Sequence, residues 1–299
     1  MIFFENLLII KKSCVIILTE VISLRIAVIY NRYFKSDTYN ESIDIYVRGL
    51  QKSGLDAFKV SSAELITKTN FNFEYALLLD KDISLGYILE EKGIRVYNTS
   101  DAVRICDSKI LTYIKLMHSD VPMPQTTILP FKFSNMEYSD YEFENEIKNY
   151  PIIIKEEFGS LGQQINLIYN KEDFHSVIKK SNARLLVQEY IECDGSDIRV
   201  FVVGNKAVCG MKRHNEKDFR SNCAGGGNAT LYPLNEKLCE IAEKASKIIG
   251  LDFCGVDIIE KDNRYYLIEV NSNPLVNNLS EVCNIEPGYE IGKHILKTL

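Results

Sequence analysis

The chain has 299 residues, 46% of them hydrophobic and 25% charged, with a formal net charge of −6. That length exceeds one ordinary hydrophobic core and implies two or three domains. The acidic balance excludes a general electrostatic attraction to nucleic acid or to an anionic membrane, so any phosphate binding has to come from a local basic pocket.

Residues 1–24 mix short apolar runs with Lys11, Lys12 and Glu20. No stretch there reaches the length of a membrane span, and no signal-peptide cleavage site is plain. The segment is expected to be an extension, or a misassigned start, ahead of a domain beginning near Arg25. Residues 25–30 form an apolar run suited to a buried parallel strand. A helix is expected over about 40–53, ending at Gly54. Strands are expected at 57–60, 75–80 and 94–97, with a helix over about 84–92. This alternation predicts an α/β domain with a parallel sheet over residues 25–103. It carries no Gly-x-Gly-x-x-Gly after its first strand, which disfavours dinucleotide binding.

Residues 101–119 read as one helix carrying Asp107-Ser108-Lys109. Pro122, Pro124 and Pro130 mark a connection, and 131–150 read as a helix with flanking loop. Strands at 151–155 and 164–169 make a hairpin, followed by a helix over 171–181 and a strand over 185–190. Strands at 198–203 and 206–211 pair about Gly204-Asn205. Residues 234–249 form an amphipathic helix closed by Gly250, and a short helix over about 289–299 ends the chain. Eight cysteines are scattered without a Cys-x-x-Cys pair, which predicts reduced thiols in a cytoplasmic protein. Four histidines give no zinc spacing.

Several clusters carry chemistry. Asp257 lies in one alternating run, Glu269 and Asn271 in the next, with a polar turn between. A three-residue loop over 262–264 would set Asp257 opposite Glu269 and put all three on one face. Val256, Ile258, Ile268 and Val270 would then fill the other. A two-residue loop would separate the acids, because a one-residue slip inverts a strand. Two carboxylates and an amide oxygen suit Mg²⁺, although a hairpin with solvated acids has the same pattern. Lys155 ends a buried strand before a loop holding Gly159, Ser160 and Gly162, where backbone N–H groups can approach phosphate. Gln188, Glu189, Tyr190 and Ile191 could meet an adenine edge, Asp197 ribose hydroxyls, and Arg199 a phosphate or a carboxylate. Arg213, Arg220 and Asn222, with a triple glycine at 225–227, could clamp a transferring phosphoryl group. Each cluster alone also fits an ordinary structural role. His214 and Cys223 are taken as bystanders.

Taken in order, the clusters resemble the ATP-grasp ligases, most closely the RimK-like branch, which includes α-L-glutamate ligases and ligases acting on an amino-group carrier protein. The resemblance covers roughly residues 25–299 and is densest in Gln188-Glu189-Tyr190-Ile191, Asp197-Ile198-Arg199, 218–222, 255–257 and 269–274. It implies an N-terminal α/β domain followed by two lobes holding ATP between them, a central lobe over 104–187 and a C-terminal lobe over 188–299. It further implies Lys109 and Lys155 on the phosphates, Asp257, Glu269 and Asn271 on two Mg²⁺ that Mn²⁺ could replace, and Arg213, Arg220 and Asn222 near the transferred group. Gln163-Gln164 depart from the smaller residues common after the loop. The expected activity is ATP-dependent carboxylate–amine ligation through an acyl phosphate, adding an amino acid such as glutamate to a peptide, protein or metabolite. Dipeptide ligation of free amino acids and nucleotide binding without turnover are the alternatives. No nucleic acid or membrane partner is expected, and a homo-oligomer is left open. Glu269→Gln and Asp257→Asn are each expected to abolish ADP formation without disturbing the fold.

Overall fold

The computed structural model describes residues 8–11, 14–17, 24–131, 133, 149–159, 162, 164–216 and 228–299. Ser160, Arg220, Asn222 and nearly all of the segment expected to be a helix with flanking loop (131–150) lie outside them. Within the expected extension, Leu8–Lys11 (β1) pairs antiparallel with Cys14–Ile17 (β2).

Arg25–Tyr30 (β3), Asp56–Ser61 (β4), Tyr75–Leu78 (β5) and Arg95–Tyr97 (β6) form a parallel sheet in the order β4-β3-β5-β6. Both faces of β3 are buried, which explains its unbroken apolar run. Ala27 and Ile29 pack with Leu85 and Leu89 of Ile83–Glu91 (α3), near Ser62–Leu65 (α2). Ile26 and Val28 pack with Tyr46 and Leu50 of Asp37–Lys52 (α1). The helix expected over 101–119 is two, Ser100–Asp107 (α4) and Lys109–Leu116 (α5). Ser108 sits between them in extended conformation, and its hydroxyl accepts from Leu111 N at 3.0 Å. A serine that caps a new helix competes with continuation of the old one.

Thr126–Ile128 (β7), Ile152–Glu156 (β8), Ile165–Ile168 (β9) and Leu185–Glu189 (β10) form an antiparallel sheet in the order β7-β10-β8-β9. Phe174 and Ile178 of Lys171–Lys180 (α6) cover one face, against Ile152, Ile154 and Val187. The expected division at 187/188 falls within β10, whose pairing to β8 runs to Glu189.

Ser196–Val203 (β11), Lys206–His214 (β12), Asn228–Leu231 (β13), Phe253–Lys261 (β14) and Arg264–Asn271 (β15) form the last sheet, in the order β13-β12-β11-β14-β15. Glu236–Ile249 (α7), capped by left-handed Gly250, covers one face through Leu238, Ala242 and Ala245. β13 and Asn277–Cys283 (α8) were not expected. β13 is a largely exposed edge strand without apolar alternation, and α8 has no side-chain cap. The far face shares one core with the N-terminal domain: Phe201 and Phe253 pack with Tyr46 and Leu50, and with Ile291 and Ile295 of Pro287–Thr298 (α9). Asn98, fully buried, stitches the same junction. Its amide nitrogen donates to Phe253 O and Ser272 O, each at 2.9 Å, and its oxygen accepts from Asp252 N at 2.7 Å.

Candidate active site

The last sheet builds the floor of a cleft by strand alternation alone. Asp197 and Arg199 are two apart on β11 and so share a face. Asp197 pairs across to Arg213 on β12, and Arg199 pairs across to Asp257 on β14. Asp257 in turn lies opposite Glu269 on β15, with Asn271 two residues on. The same face, further along, is the apolar junction with the N-terminal domain.

Asp257 and Glu269 share that face by a route the sequence did not suggest. The hairpin turn has two residues, Asp262 and Asn263, both at positive φ (50° and 58°). Asp and Asn tolerate this conformation and favour it in tight hairpins. A two-residue turn would put the acids on opposite faces, but the register shifts after Ile258↔Leu267 to Asp257↔Glu269. Ile268 is the extra residue of a β-bulge, and the bulge restores the alignment. Leu267 therefore enters the core beside Val256, Ile258 and Val270, while Ile268 lines the cleft. The expected core position of Ile268 is thus corrected.

The charges interlock. Arg199 clasps Asp257 with Nε to Oδ1 and Nη2 to Oδ2, both at 2.7 Å. Arg213 donates Nε to Asp197 Oδ1 at 2.7 Å, bonds Asp197 Oδ2 through Nη2, and reaches Asp257 Oδ2 at 2.9 Å. Burial works against charge on Asp257, but Arg199 and Arg213 outweigh it and lower its pKa to about 2. Burial likewise opposes charge on Arg213, and the two aspartates raise its pKa above the ordinary arginine value. Gly255 packs tightly here, since a Cβ on it would lie 3.1 Å from Pro274 Cβ, with the Arg199 side chain next at 3.4 Å.

Across the cleft the central sheet turns Ile153, Lys155 and Gln188 toward this floor. Burial lowers the Lys155 pKa to about 8; Glu269 opposes the drop and Lys109 adds to it. Lys109 opens α5, reaches Gly159 O at 3.1 Å and sits 3.9 Å from Glu269 Oε1. Ser108 ties α5 to the β8 loop through Glu157 Oε1 at 2.6 Å. Gln188, Glu189, Tyr190 and Ile191 line the junction of the lobes. The cleft measures about 420 Å³ and gathers Lys155, Gly159, Gly162, Gln188 to Ile191, Asp197, Arg199, Arg213, Asp257, Glu269 and Asn271, with Lys109 at its edge. His214 bonds Ser196 Oγ at 2.9 Å.

Asn31, Asp80, Lys81 and Asp107 also line the cleft and were not anticipated. Their signal was available: Asn31, Asp80 and Lys81 follow strands at the carboxyl edge of a parallel sheet, where such folds place ligands.

Glu269 makes no hydrogen bond among the described residues and faces the cleft, which fits a cation ligand. Asn271 Nδ2 lies 3.2 Å from Asp257 Oδ2, so its amide converges on the same point. Asp257 Oδ2 already carries three donors, Arg199 Nη2, Arg213 Nη2 and Asn271 Nδ2, so an approaching ion would have to use Oδ1, which carries Arg199 Nε alone. The set is hard, oxygen-rich and anionic, as a divalent ion bound with phosphate requires.

A RimK-like ATP-grasp domain matches residues 107–297. The chain belongs to that family. Its members here include α-aminoadipate–LysW ligase LysX of Saccharolobus solfataricus, 30% identical over 245 residues that cover 79% of this chain and 83% of that protein. Glutamate–LysW ligase ArgX of Sulfolobus acidocaldarius is 31% identical over 217 residues, 70% of this chain and 75% of that one. D-alanine–D-alanine ligase from Bacillus anthracis, solved with ATP, shares the fold at a TM-score of 0.72 and 18% identity, covering 92% of this chain and 97% of that one. As an ATP-grasp ligase the chain is an ATP-dependent enzyme that forms carbon–nitrogen bonds, and the family uses a divalent metal with the nucleotide. Among the described residues no helix is long and apolar enough to cross a membrane. The cysteines whose side chains are described are free.

Proposed function

We propose that this ATP-grasp ligase joins a carboxylate of a peptide or protein to the amino group of an acidic amino acid through an acyl phosphate. The observation that carries the reading is the row Arg213–Asp197, Arg199–Asp257, Glu269 and Asn271 facing Lys109 and Lys155 across one cleft. The acidic amino acid is suggested by the relatives, whose names specify α-aminoadipate and glutamate.

A carboxylate oxygen attacks the γ-phosphorus, the bond to the bridging oxygen breaks, and ADP leaves. The ammonium releases one proton to give the free amine, whose nitrogen attacks the acyl carbon; phosphate departs, and the nitrogen loses a second proton. Lys109 and Lys155 neutralise the phosphates, and Gly159 and Gly162, which line the cleft, let backbone approach them. Gln188 to Ile191 offer backbone groups to the adenine. Arg199 and Arg213 face the phosphoryl and acyl groups, the part that the sequence also gives to Arg220 and Asn222, and this positioning and charge neutralisation supply most of the catalysis. Asp197, expected beside the ribose, orients Arg213 in this reading, because both of its oxygens are bonded there. Glu269 and Asn271, with Asp257 behind them, would hold two Mg²⁺, or Mn²⁺ in their place, which stabilise negative charge on the phosphates.

The test is purified protein with ATP, Mg²⁺, L-glutamate or L-α-aminoadipate, and peptides ending in glutamate. Amine-dependent ADP release is expected, with a product whose mass is the sum of the substrates less water, and with EDTA abolishing both. Nucleotide binding without any substrate-dependent ADP release would refute the ligase reading in favour of a binding protein without turnover.

A further inference from the structure

Asp80 stands at the carboxyl end of β5, on the wall that the N-terminal domain presents to the cleft. It is 7% exposed. Its Oδ1 accepts from Lys81 N at 2.7 Å and from Asn31 Nδ2 at 3.2 Å. Its Oδ2 is buried and has no hydrogen-bond partner. The nearby groups that could satisfy it are committed elsewhere. The Lys81 ammonium bonds Asp107. The Tyr39 hydroxyl donates to Leu79 O at 2.8 Å and accepts from Asn31 N at 3.0 Å.

The other acids of the cleft contrast with it. Asp197 and Asp257 carry guanidinium partners, Asp107 carries Lys81, Glu269 faces Lys109, and Glu189 is exposed to solvent. Among the described residues, Asp80 is the buried acid of this cleft without a cation. Leaving a buried carboxylate oxygen unsatisfied is costly, and such a group calls for an explanation in the chemistry of the site. The wall also abuts the metal-facing strand, because Asn273, two residues past Asn271, donates to Leu79 O at 2.6 Å. The cleft is therefore electrostatically divided. Its floor carries Arg199 and Arg213 and the side facing it carries Lys155 and Lys109, whereas the Asp80 carboxylate on the N-terminal wall has no cation beside it.

We propose that Asp80 holds the amino group of the amine substrate, its Oδ2 accepting a hydrogen bond from the ammonium as the amino acid enters. The assignment rests on the ligase reading above and adds the group that selects the second substrate. A charge-assisted bond of this kind is among the stronger ones a binding site can offer. Asp80→Asn is the sharp variant, because its amide oxygen can keep both bonds to Oδ1 while the unpartnered oxygen becomes a donor.

The test uses hydroxylamine, a small nucleophile that lacks the amino acid's ammonium and traps the acyl phosphate as a hydroxamate. Wild type and Asp80→Asn are compared with ATP, Mg²⁺ and a glutamate-ending peptide, using L-glutamate, L-α-aminoadipate or hydroxylamine as nucleophile. In the variant, the ratio of kcat/KM for the amino acid to that for hydroxylamine should fall about tenfold or more, through the KM of the amino acid. Asp80→Ser should show the same split and serves if the asparagine variant does not fold. A ratio equal to wild type in the folded variant overturns the assignment and leaves the ligase reading standing. Absence of ADP release by wild type with every nucleophile overturns the ligase reading, and the assignment with it.

Discussion

Asp257 and Glu269 are both acids on one face, but they do different work and their substitution should separate. Among the described residues, Glu269 touches the network only through Lys109 at 3.9 Å. Glu269→Gln should remove substrate-dependent ADP release while shifting the melting temperature little. Asp257 neutralises two largely buried guanidinium groups. Removing one member of such a buried set costs about 3–5 kcal/mol, so Asp257→Asn should lose activity and also melt many degrees lower. The sequence suggested both variants would fold normally, because the partners of Asp257 lie across two strands and are invisible to spacing. Thermal melts with ADP assays on both proteins check the contrast; equal melting temperatures would contradict it. Lys155 makes a second prediction. Its pKa is lowered from 10.5 to about 8, so the unfolded chain holds more protons between those values and the stability of the free protein should rise with pH there. Triphosphate favours the charged lysine, so ATP binding should take up a proton above about pH 8 and weaken as pH rises further. Calorimetric titrations in buffers of different ionisation enthalpy would show the uptake, and affinity constant across that range would contradict it.

At the scale of elements, the readable parts were those with a local cause. β3 declared itself by an apolar run, α7 by its periodicity and Gly250, and β8 by three isoleucines before Lys155. The bulge at Ile268 was not readable, since an alternating pattern carries no mark of one extra residue. Nor was the break at Ser108, because the apolar period runs across it. The return of α9 to α1 was equally hidden. It depends on close backbone approach: a Cβ on Gly49 would lie 2.6 Å from Gly288 Cα and collide with Tyr289 N. Gly49→Ala should destabilise by about 1–3 kcal/mol through overpacking, seen as a melting temperature several degrees lower with ATP affinity retained. An unchanged melting point would show that the helices can separate freely.

At the scale of the molecule, three sheets surround the cleft and their cores are not equally separate. The N-terminal domain and the C-terminal sheet share one core, whereas the central sheet has a core of its own with α6. The cleft between them gathers the described residues that the sequence singled out, most of them on the inward face of a strand or just past its end, with Lys109 at the start of α5. The N-terminal wall was legible only through the parallel sheet, whose carboxyl edge brings Asn31 and Asp80 together from 49 residues apart; neither residue carries a local mark of its own. The measurement that tests the account most directly is a crystal structure with a non-hydrolysable ATP analogue and Mn²⁺, read by anomalous scattering. Manganese density bridging the analogue's phosphates to Glu269 and Asn271, beside Asp257, is the predicted result. Nucleotide bound with its metal away from those side chains, or outside the cleft, would contradict it.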